Sequence, residues 1–421
     1  MNRILALGVL LMCVSLASAD ILDYVAAEDD SFAWSVATER PELVSLDLTS
    51  QTWQGIPWTH QVSIHLPRTV TFPDTCVLYI TGGNFRPEQP EALLLSALAQ
   101  RLGMPVAILW GIPNQPLFDG LTEDALIAHT FVQATVTGDE SWPLLFPMAK
   151  AVSRAMDAIT AYGEQAWDRV VDRYITTGAS KRGWTTWFSA VVDPRVIAIA
   201  PMVYDNLDLA AQMRHQIALW GEPSPSIHDY TELDLVNYLQ TDAGRHLGQL
   251  VDPYTYRERL TLPKLIINGA SDEYWGVDSL NIYRPGLVGE VNQLYLPNSS
   301  HGLQDRVRLV NTLVAFVRAV AGDQPRPEWS WEHDIGAGQL TLQVTAPTAT
   351  NVQIWYADSP DGRFVTSTWH SKEMVRSGDV WTGGVPSPQT GRRALFGEAT
   401  FPSDDLPYTL STTMRLVPAV D

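Results

Sequence analysis

Short apolar runs alternate with longer amphipathic segments from Leu78 to Val320. The short runs predict strands at Cys76–Ile80, Pro105–Trp110, Arg173–Thr177, Val196–Met202, Leu265–Asn268 and Asn292–Leu296. The longer segments carry apolar residues at helical spacing and predict helices at Glu91–Arg101, Pro147–Tyr162, Lys181–Val191 and Leu303–Val320. Strands and helices in alternation are typical of a mainly parallel sheet covered by helices.

Two regions depart from that alternation. It lapses between Tyr204 and Leu260, where we expect two or three helices inserted over the carboxyl edge of the sheet. Such an insertion would form a cap that shapes a substrate pocket. After Gly322–Pro327, short alternating segments such as Leu340–Val344 predict a small β-sandwich of the immunoglobulin or fibronectin-III type. The predicted organisation is an α/β domain over residues 20–322, with the cap at about 204–260, and a β-sandwich over 327–421.

The first 19 residues predict a signal peptide. Arg3 supplies the positive start, Ile4–Leu16 the apolar stretch, and Ala17–Ala19 the cleavage site before Asp20. The apolar stretch is too short for a spanning helix with such flanks, although a membrane anchor is the alternative. We therefore expect export to the periplasm or out of the cell, with no membrane span.

The amino-acid composition and the net charge indicate which classes of partner this protein can have. Hydrophobic residues make up 45% of the chain and charged residues 18%, as in folded globular proteins. The formal net charge of −19 makes nucleic acid and anionic membranes poor partners. Cys13 lies in the predicted signal peptide, so Cys76 would remain alone, and its strand-like surroundings predict a buried thiol. The sequence holds no Walker A loop, dinucleotide fingerprint, H-E-x-x-H motif or metal-spaced cysteine pair, and it implies no metal or other cofactor.

A serine stands at a turn between a predicted strand and a predicted helix, in Gly178-Ala179-Ser180-Lys181-Arg182-Gly183. α/β-Hydrolases hold their nucleophile at such a turn, because small neighbours permit the backbone that exposes the serine hydroxyl. Here Arg182 replaces the second glycine of the usual G-x-S-x-G pattern, and the glycine comes one position later. The alternative is a helix-capping serine, since serine is also favoured at N-caps.

Asp272 and His301 each follow a further strand-like run, and the order Ser180, Asp272, His301 is the order of that fold. A serine hydroxyl needs a histidine to take its proton, and the histidine needs a carboxylate to fix its tautomer. Asp205 and Glu273 are the alternative acids. A structural histidine and a surface carboxylate are the alternative interpretations of His301 and Asp272.

Further residues are candidates for binding. The backbone N–H groups of Lys181 and of Gly83, in Thr81–Asn84, would form the oxyanion hole, unless Thr81–Asn84 is a plain turn. The cations of Lys181 and Arg182 oppose the dipole of the helix that they begin. We expect them either to meet an anionic substrate group or oxyanion, or to form buried salt bridges. Four tryptophans would line an apolar or sugar-stacking pocket, or else pack in the core: Trp110, Trp142, Trp184 and Trp275.

The chain resembles the PhoPQ-activated pathogenicity-related family, which includes autocrine proliferation repressor proteins. The resemblance runs from about residue 21 to 320, is weaker over the C-terminal domain, and rests on Thr49–Trp53, Trp142–Met148, Gly178–Trp187, Val192–Val196, Val251–Tyr254 and Leu296–His301. It implies an exported α/β-hydrolase fold with a triad on Ser180, Asp272 and His301, and it implies no particular substrate. The serine turn is also similar to that of glucuronoyl esterases, although Lys181 stands where an arginine is usual there.

These observations predict an exported serine hydrolase that cleaves an ester or amide through an acyl-enzyme, most readily a carboxylic ester. The expected substrates are small molecules, carbohydrate esters or peptides. One alternative is a peptidase of the prolyl oligopeptidase type, which shares the order of the triad. The other is a secreted signalling or binding protein that keeps a hydrolase fold without using it.

Overall fold

The computed structural model describes residues 20–86, 90–336 and 338–419, so the predicted signal peptide lies outside the described residues. Within them one mixed sheet comprises β1 (Ala33–Arg40), β2 (Leu43–Trp53), β3 (Ile56–His65), β4 (Thr75–Ile80), β5 (Val106–Trp110), β6 (Arg173–Ala179), β7 (Val196–Met202), β8 (Lys264–Gly269) and β9 (Val291–Leu296). Their order is β1-β2-β3-β5-β4-β6-β7-β8-β9. Strands β4 to β9 run parallel, as predicted, and β1, β2 and β3 add an antiparallel extension.

Helices cover both faces of this sheet. They are α1 (Ile21–Ala26), α2 (Pro90–Leu102), α3 (Glu123–Thr137), α4 (Leu145–Trp167), α5 (Lys181–Val192), α6 (Leu209–Trp220), α7 (His228–Thr231), α8 (Leu235–Tyr238), α9 (Asp242–Val251), α10 (Leu280–Tyr283) and α11 (Arg306–Ala321). Short 3-10 turns lie at Pro225–Ile227, Pro253–Arg259 and Arg284–Gly286. The central strands are apolar and buried on both faces, which explains why six strands could be placed from sequence to within a few residues.

The antiparallel strands β1–β3 and helix α3 have no counterpart among the elements expected from sequence. Most residues of β1 are exposed at the edge of the sheet, so this strand carries little apolar pattern. Strands β2 and β3 do contain buried residues, such as Leu46 and Ile64. These strands form an antiparallel extension, which an alternation of strands and helices does not predict.

The expected cap is present between β7 and β8. It holds four α-helices in the described chain, α6 to α9, where two or three were expected, and two of them are single turns. Asp252 ties the two ends of the cap together, since its carboxylate accepts from the backbone N–H of Leu209 and of Tyr254, each at 2.9 Å. Burial raises the pKa of this carboxyl to about 7.

The C-terminal region is a separate β domain. Its strands are β10 (Ser330–Gly336), β11 (Gln339–Thr345), β12 (Asn351–Ser359), β13 (His370–Glu373), β14 (Val375–Ser377), β15 (Val380–Pro386), β16 (Arg392–Phe401), β17 (Tyr408–Ser411) and β18 (Arg415–Pro418). They form two antiparallel sheets, β10-β11-β15-β14 and β13-β12-β16-β17 with β18 on β16. Residues such as Leu342, Ile354 and Leu395 are buried between them. The β domain also contacts the large sheet, where Ser411 Oγ accepts from the backbone N–H of Tyr295 at 2.9 Å.

Candidate active site

Ser180 occupies a sharp turn between β6 and α5. Its φ of 59° and ψ of −126° place it in the left-handed half of conformational space. The turn packs on the end of β7, because the N–H of Ser180 donates to the Met202 carbonyl at 2.9 Å. A Cβ on Gly183 would lie 2.7 Å from the same carbonyl oxygen, so glycine is required at 183. The hydroxyl of Ser180 accepts no capping hydrogen bond, and the interpretation as a capping serine is not supported.

Ser180→Gly is expected to melt a few degrees above Ser180→Ala. A non-glycine residue in this backbone region stores about 1–3 kcal/mol, of which the greater flexibility of unfolded glycine offsets about 0.5–1 kcal/mol. Both variants lack the hydroxyl, so calorimetry on the pair isolates the backbone effect. Equal melting temperatures, or a lower one for the glycine variant, would contradict strain at the turn.

His301 and Asp272 meet at the carboxyl edge of the same sheet, in the loops after β9 and β8. Nδ1 of His301 lies 2.9 Å from Oδ2 of Asp272, and the other carboxylate oxygen accepts from the Tyr274 N–H at 2.9 Å. The carboxylates of the two alternative acids accept hydrogen bonds from other groups. Asp205 accepts from the Tyr283 hydroxyl at 2.6 Å, and Glu273 accepts from the backbone N–H of His301 at 3.2 Å. Of the three carboxylates, the imidazole contacts Asp272.

Nε2 of His301 is buried and has no hydrogen-bond partner among the described residues, so it is not bonded to Ser180 in this structure. The ring of Tyr274 lies over the imidazole, with centroids 4.2 Å apart. Tyr274 and Ser180 line one pocket, which brings the serine and the histidine to the same part of the molecule. Catalytic hydrogen bonds are often loose until substrate binds.

The side chains of Lys181 and Arg182 are largely buried and form salt bridges, in line with the second of the two alternatives. Lys181 Nζ lies 2.8 Å from Glu123 and 2.9 Å from Asp124. The guanidinium of Arg182 donates to both carboxylate oxygens of Glu123, at 2.6 and 2.7 Å, and to the Ile112 carbonyl at 2.6 Å. Burial alone would raise the pKa of Glu123, but Arg182 and Lys181 outweigh it and lower the pKa to about 2. No pattern in their own segment marks Glu123 or Asp124 as part of the site, so neither was predicted.

An apolar pocket of about 80 Å³ begins at Ser180 and lies under the cap. Cap residues form much of its wall: Asn206, Leu209, Met213, Ile227, Tyr230, Leu235, Val236, Leu239, Leu247 and Val251. Phe131, Tyr204 and Asp124 also line the pocket, together with residues of the predicted site. Trp184 and Trp275 lie on this pocket, and Trp184 is stacked on Tyr204 at 4.9 Å.

Other predicted binding residues lie outside the pocket. Trp142 packs against Trp53 and Phe118, with ring centroids 5.8 and 5.5 Å away. Trp110 and Gly83 line a separate, open groove beside β3. Arg182 is not among the residues that line the pocket, and its guanidinium lies against Gly82, where a Cβ would collide with it. The structure therefore brings two of the four tryptophans to Ser180.

No cluster of three or more histidine, cysteine, aspartate or glutamate side chains among the described residues is arranged to hold a metal ion. None of the described helices combines the length and the apolar character needed to cross a bilayer.

A profile of the family described as "PhoPQ-activated pathogenicity-related protein" matches residues 21–364. The chain belongs to this family. The match extends past residue 320, where the resemblance was expected to weaken, into the C-terminal β domain. Among curated proteins, autocrine proliferation repressor protein A from Dictyostelium discoideum is 32% identical over 463 residues, covering 99% of this chain and 93% of that protein.

Solved structures similar to this PhoPQ-activated family member include two acetyl xylan esterases. The enzyme from Paenibacillus sp. R4 has a TM-score of 0.50 at 12% identity, covering 71% of this chain and 92% of that one. Acetyl xylan esterase 1 from Thermoanaerobacterium sp. JW/SL YS485 has a TM-score of 0.49 at 14% identity, covering 70% and 91%. The likeness concerns the fold alone, which is an α/β-hydrolase fold with an additional β domain.

Proposed function

We propose that this protein is an exported serine hydrolase that cleaves carboxylic esters through an acyl-enzyme. The observation that carries the proposal is the 2.9 Å contact between His301 Nδ1 and Asp272, at the sheet edge where Ser180 stands on its strained turn. Export is proposed from the signal peptide predicted over residues 1–19.

In the proposed reaction, Oγ of Ser180 attacks the ester carbonyl carbon, and its proton passes to Nε2 of His301. The bond from that carbon to the alcohol oxygen then breaks, and the alcohol leaves with the proton. Water attacks the acyl-enzyme next and gives a proton to His301, which returns it to Oγ as the acid leaves. Asp272 accepts the Nδ1–H throughout, and this keeps the lone pair on Nε2.

The oxyanion would be held by the backbone N–H groups of Lys181 and Gly83. Lys181 is the first residue of α5, where the N–H has no partner within the helix and the helix dipole favours negative charge. The segment that carries Gly83 approaches α5, since its neighbour Gly82 lies against the Arg182 guanidinium. The Lys181 side chain is held by Glu123 and Asp124, so its ammonium has no part in this proposal.

A second candidate is a secreted signalling protein without hydrolase activity. Two observations favour it: the name of the relative from Dictyostelium discoideum, and the absence of a hydrogen bond between Ser180 and His301 Nε2. Both candidates share the fold, so only a measurement of chemistry separates them.

Labelling with a fluorophosphonate probe makes that measurement, because the probe reacts with a serine that a neighbouring base activates. We expect the mature protein to be labelled, the label to map to the peptide containing Ser180, and Ser180→Ala to stay unlabelled. Failure of the folded wild-type protein to react would favour the signalling candidate. Labelling that persists in Ser180→Ala would assign the nucleophile elsewhere.

A further inference from the structure

The pocket at Ser180 offers more than a place for the nucleophile. We infer that it receives the acyl part of the ester, and that this acyl group is short, apolar and uncharged. The inference rests on the proposed function and deepens it by naming the substrate class.

The enclosed shape of the pocket indicates which part of the ester, acyl or alcohol, enters it. In an acyl-enzyme the acyl group stays bonded to Ser180 while the alcohol leaves, so the acyl group needs a space beside Oγ and the alcohol needs an exit. The pocket begins at Ser180 and is roofed by the cap helices, with Val236 and Leu247 buried in its wall. A roofed space suits the group that stays.

The charges in the wall exclude a charged acyl group. Asp124 and Lys181 are the charged side chains among the residues that line the pocket, and they pair with each other at 2.9 Å. Asp124 also accepts from the Tyr230 hydroxyl at 3.0 Å. An aminoacyl or dicarboxylic acyl group would therefore be buried without a free counter-charge, which is strongly unfavourable.

Size and polarity limit the acyl group further. The pocket of about 80 Å³ is smaller than a cavity of about 150 Å³ that binds benzene in an engineered protein core. A short aliphatic acyl group fits this space, whereas a benzoyl group or a sugar ring exceeds it. A sugar ring would also lose its hydration against leucine and valine side chains. The sugar-stacking role considered for the tryptophans is thus not proposed for Trp184 and Trp275.

The test compares p-nitrophenyl acetate, butyrate and octanoate on three variants of the mature protein. Val236→Phe fills the pocket, so we expect its kcat/KM for butyrate to fall about ten-fold more than that for acetate. Leu247→Ala enlarges the pocket, so we expect its ratio of octanoate to acetate to rise about ten-fold. Leu233→Phe is the matched control, because Leu233 is an exposed cap residue outside the pocket wall. Its profile should equal that of the wild type.

A parallel series of methyl, butyl and octyl acetate varies the alcohol instead. If the two pocket variants change this second series and leave the acyl series unchanged, the pocket holds the alcohol and the inference is overturned. Unchanged profiles in both series would overturn it as well. A wild-type protein without fluorophosphonate labelling or ester hydrolysis would instead count against the proposed function, so the two failures remain distinct. The opposite directions expected for Val236→Phe and Leu247→Ala also separate a specificity effect from a general loss of folding.

A second, independent observation concerns the C-terminal domain. The indole N–H of Trp369 donates to Ser271 Oγ at 3.1 Å. The backbone of Trp369 exchanges two hydrogen bonds with the Asn298 side chain, at 2.8 and 3.1 Å. Ser271 directly precedes Asp272, and Asn298 lies on the loop of His301. Trp369 itself is buried, with 2% of its surface exposed.

The geometry points to Trp369 as a positioning residue for the acid and the base. The indole of Trp369 hydrogen-bonds to the loop of Asp272, and its backbone hydrogen-bonds to the loop of His301. A shift of Trp369 would therefore move Asp272 relative to His301. Positional errors of about 1 Å can cost roughly a hundred-fold in rate. Like the acyl pocket, this role presupposes the proposed function.

Trp369→Phe keeps an aromatic ring at this position and removes the indole N–H, at the cost of a small cavity. We expect kcat to fall about ten-fold with KM changed less than about two-fold, and the acidic limb of the kcat/KM–pH profile to move. Trp331→Phe is the matched control, since Trp331 donates to Thr413 within the β domain at 3.0 Å. A lower melting temperature with unchanged kcat and pH profile would reduce Trp369 to a structural residue. If wild-type protein hydrolyses no ester, the proposed function fails first.

Discussion

Ser180→Ala is expected to lower kcat for p-nitrophenyl acetate about a million-fold. The variant loses the atom that forms the acyl-enzyme, and removing the nucleophile of a comparable triad costs about 2 × 10⁶ in kcat. KM should change little, because alanine differs from serine only by the hydroxyl group, and that hydroxyl accepts no hydrogen bond from the helix that follows it. Steady-state kinetics with a large excess of variant enzyme measure the remaining rate.

Ser189→Ala is the matched control for this change. Ser189 lies on the same helix and its hydroxyl is 2.9 Å from that of Thr176, so its loss is expected to lower the melting temperature while kcat stays within about two-fold. If Ser180→Ala kept a rate within ten-fold of the wild type, the proposed nucleophile would be wrong even if esters were hydrolysed.

Asp272→Asn is expected to lower kcat about ten-thousand-fold. The carboxylate accepts the Nδ1–H of His301, and an amide in its place favours the tautomer that leaves Nε2 protonated and unable to act as a base. The equivalent replacement in a serine protease triad costs about 10⁴ in kcat. Kinetics near neutral pH provide the measurement.

Asp205→Asn and Glu273→Gln are the controls, because they remove the alternative acids. We expect both to keep kcat within about ten-fold, and a loss for Asp205→Asn as large as for Asp272→Asn would reassign the acid. Burial, with the charge of Asp272 added, raises the pKa of Asp205 to about 7. Because the pKa of Asp205 is higher in the folded state than in the unfolded state, wild-type stability falls as the pH rises from about 4 to 7. The asparagine variant has no titrating group at 205 and lacks this pH dependence. The melting temperature of Asp205→Asn relative to wild type should therefore rise with pH across that window.

The sequence made the parallel core and the candidate triad predictable for a physical reason. Buried parallel strands are apolar throughout, and the residues that follow such strands collect at one edge of the sheet. Ser180, Asp272 and His301 each follow such a strand, and the contact of His301 with Asp272 agrees with that placement. Their catalytic roles stay predictions.

Other parts of the site depend on contacts between segments far apart in the chain. Glu123 lies 59 positions before Arg182, and no local pattern marks it as the partner of that cation. Trp369 lies 98 positions after Ser271, in a different domain. The edge strand β1 has few buried residues and so lacks the periodic signal of a half-buried strand. Long-range pairing of this kind is fixed by tertiary packing, and single-residue patterns do not report it.

The helical roof over Ser180 has a consequence for macromolecular substrates. A roofed acyl site of about 80 Å³ admits a short group and is too small for a long acyl chain. An ester in the middle of a polyester would need more space than this, because chain extends from both sides of the scissile bond. A small acyl decoration on a polymer would not, since the backbone stays outside as the alcohol. On the proposed assignment, this enzyme trims pendant groups and leaves polymer length unchanged.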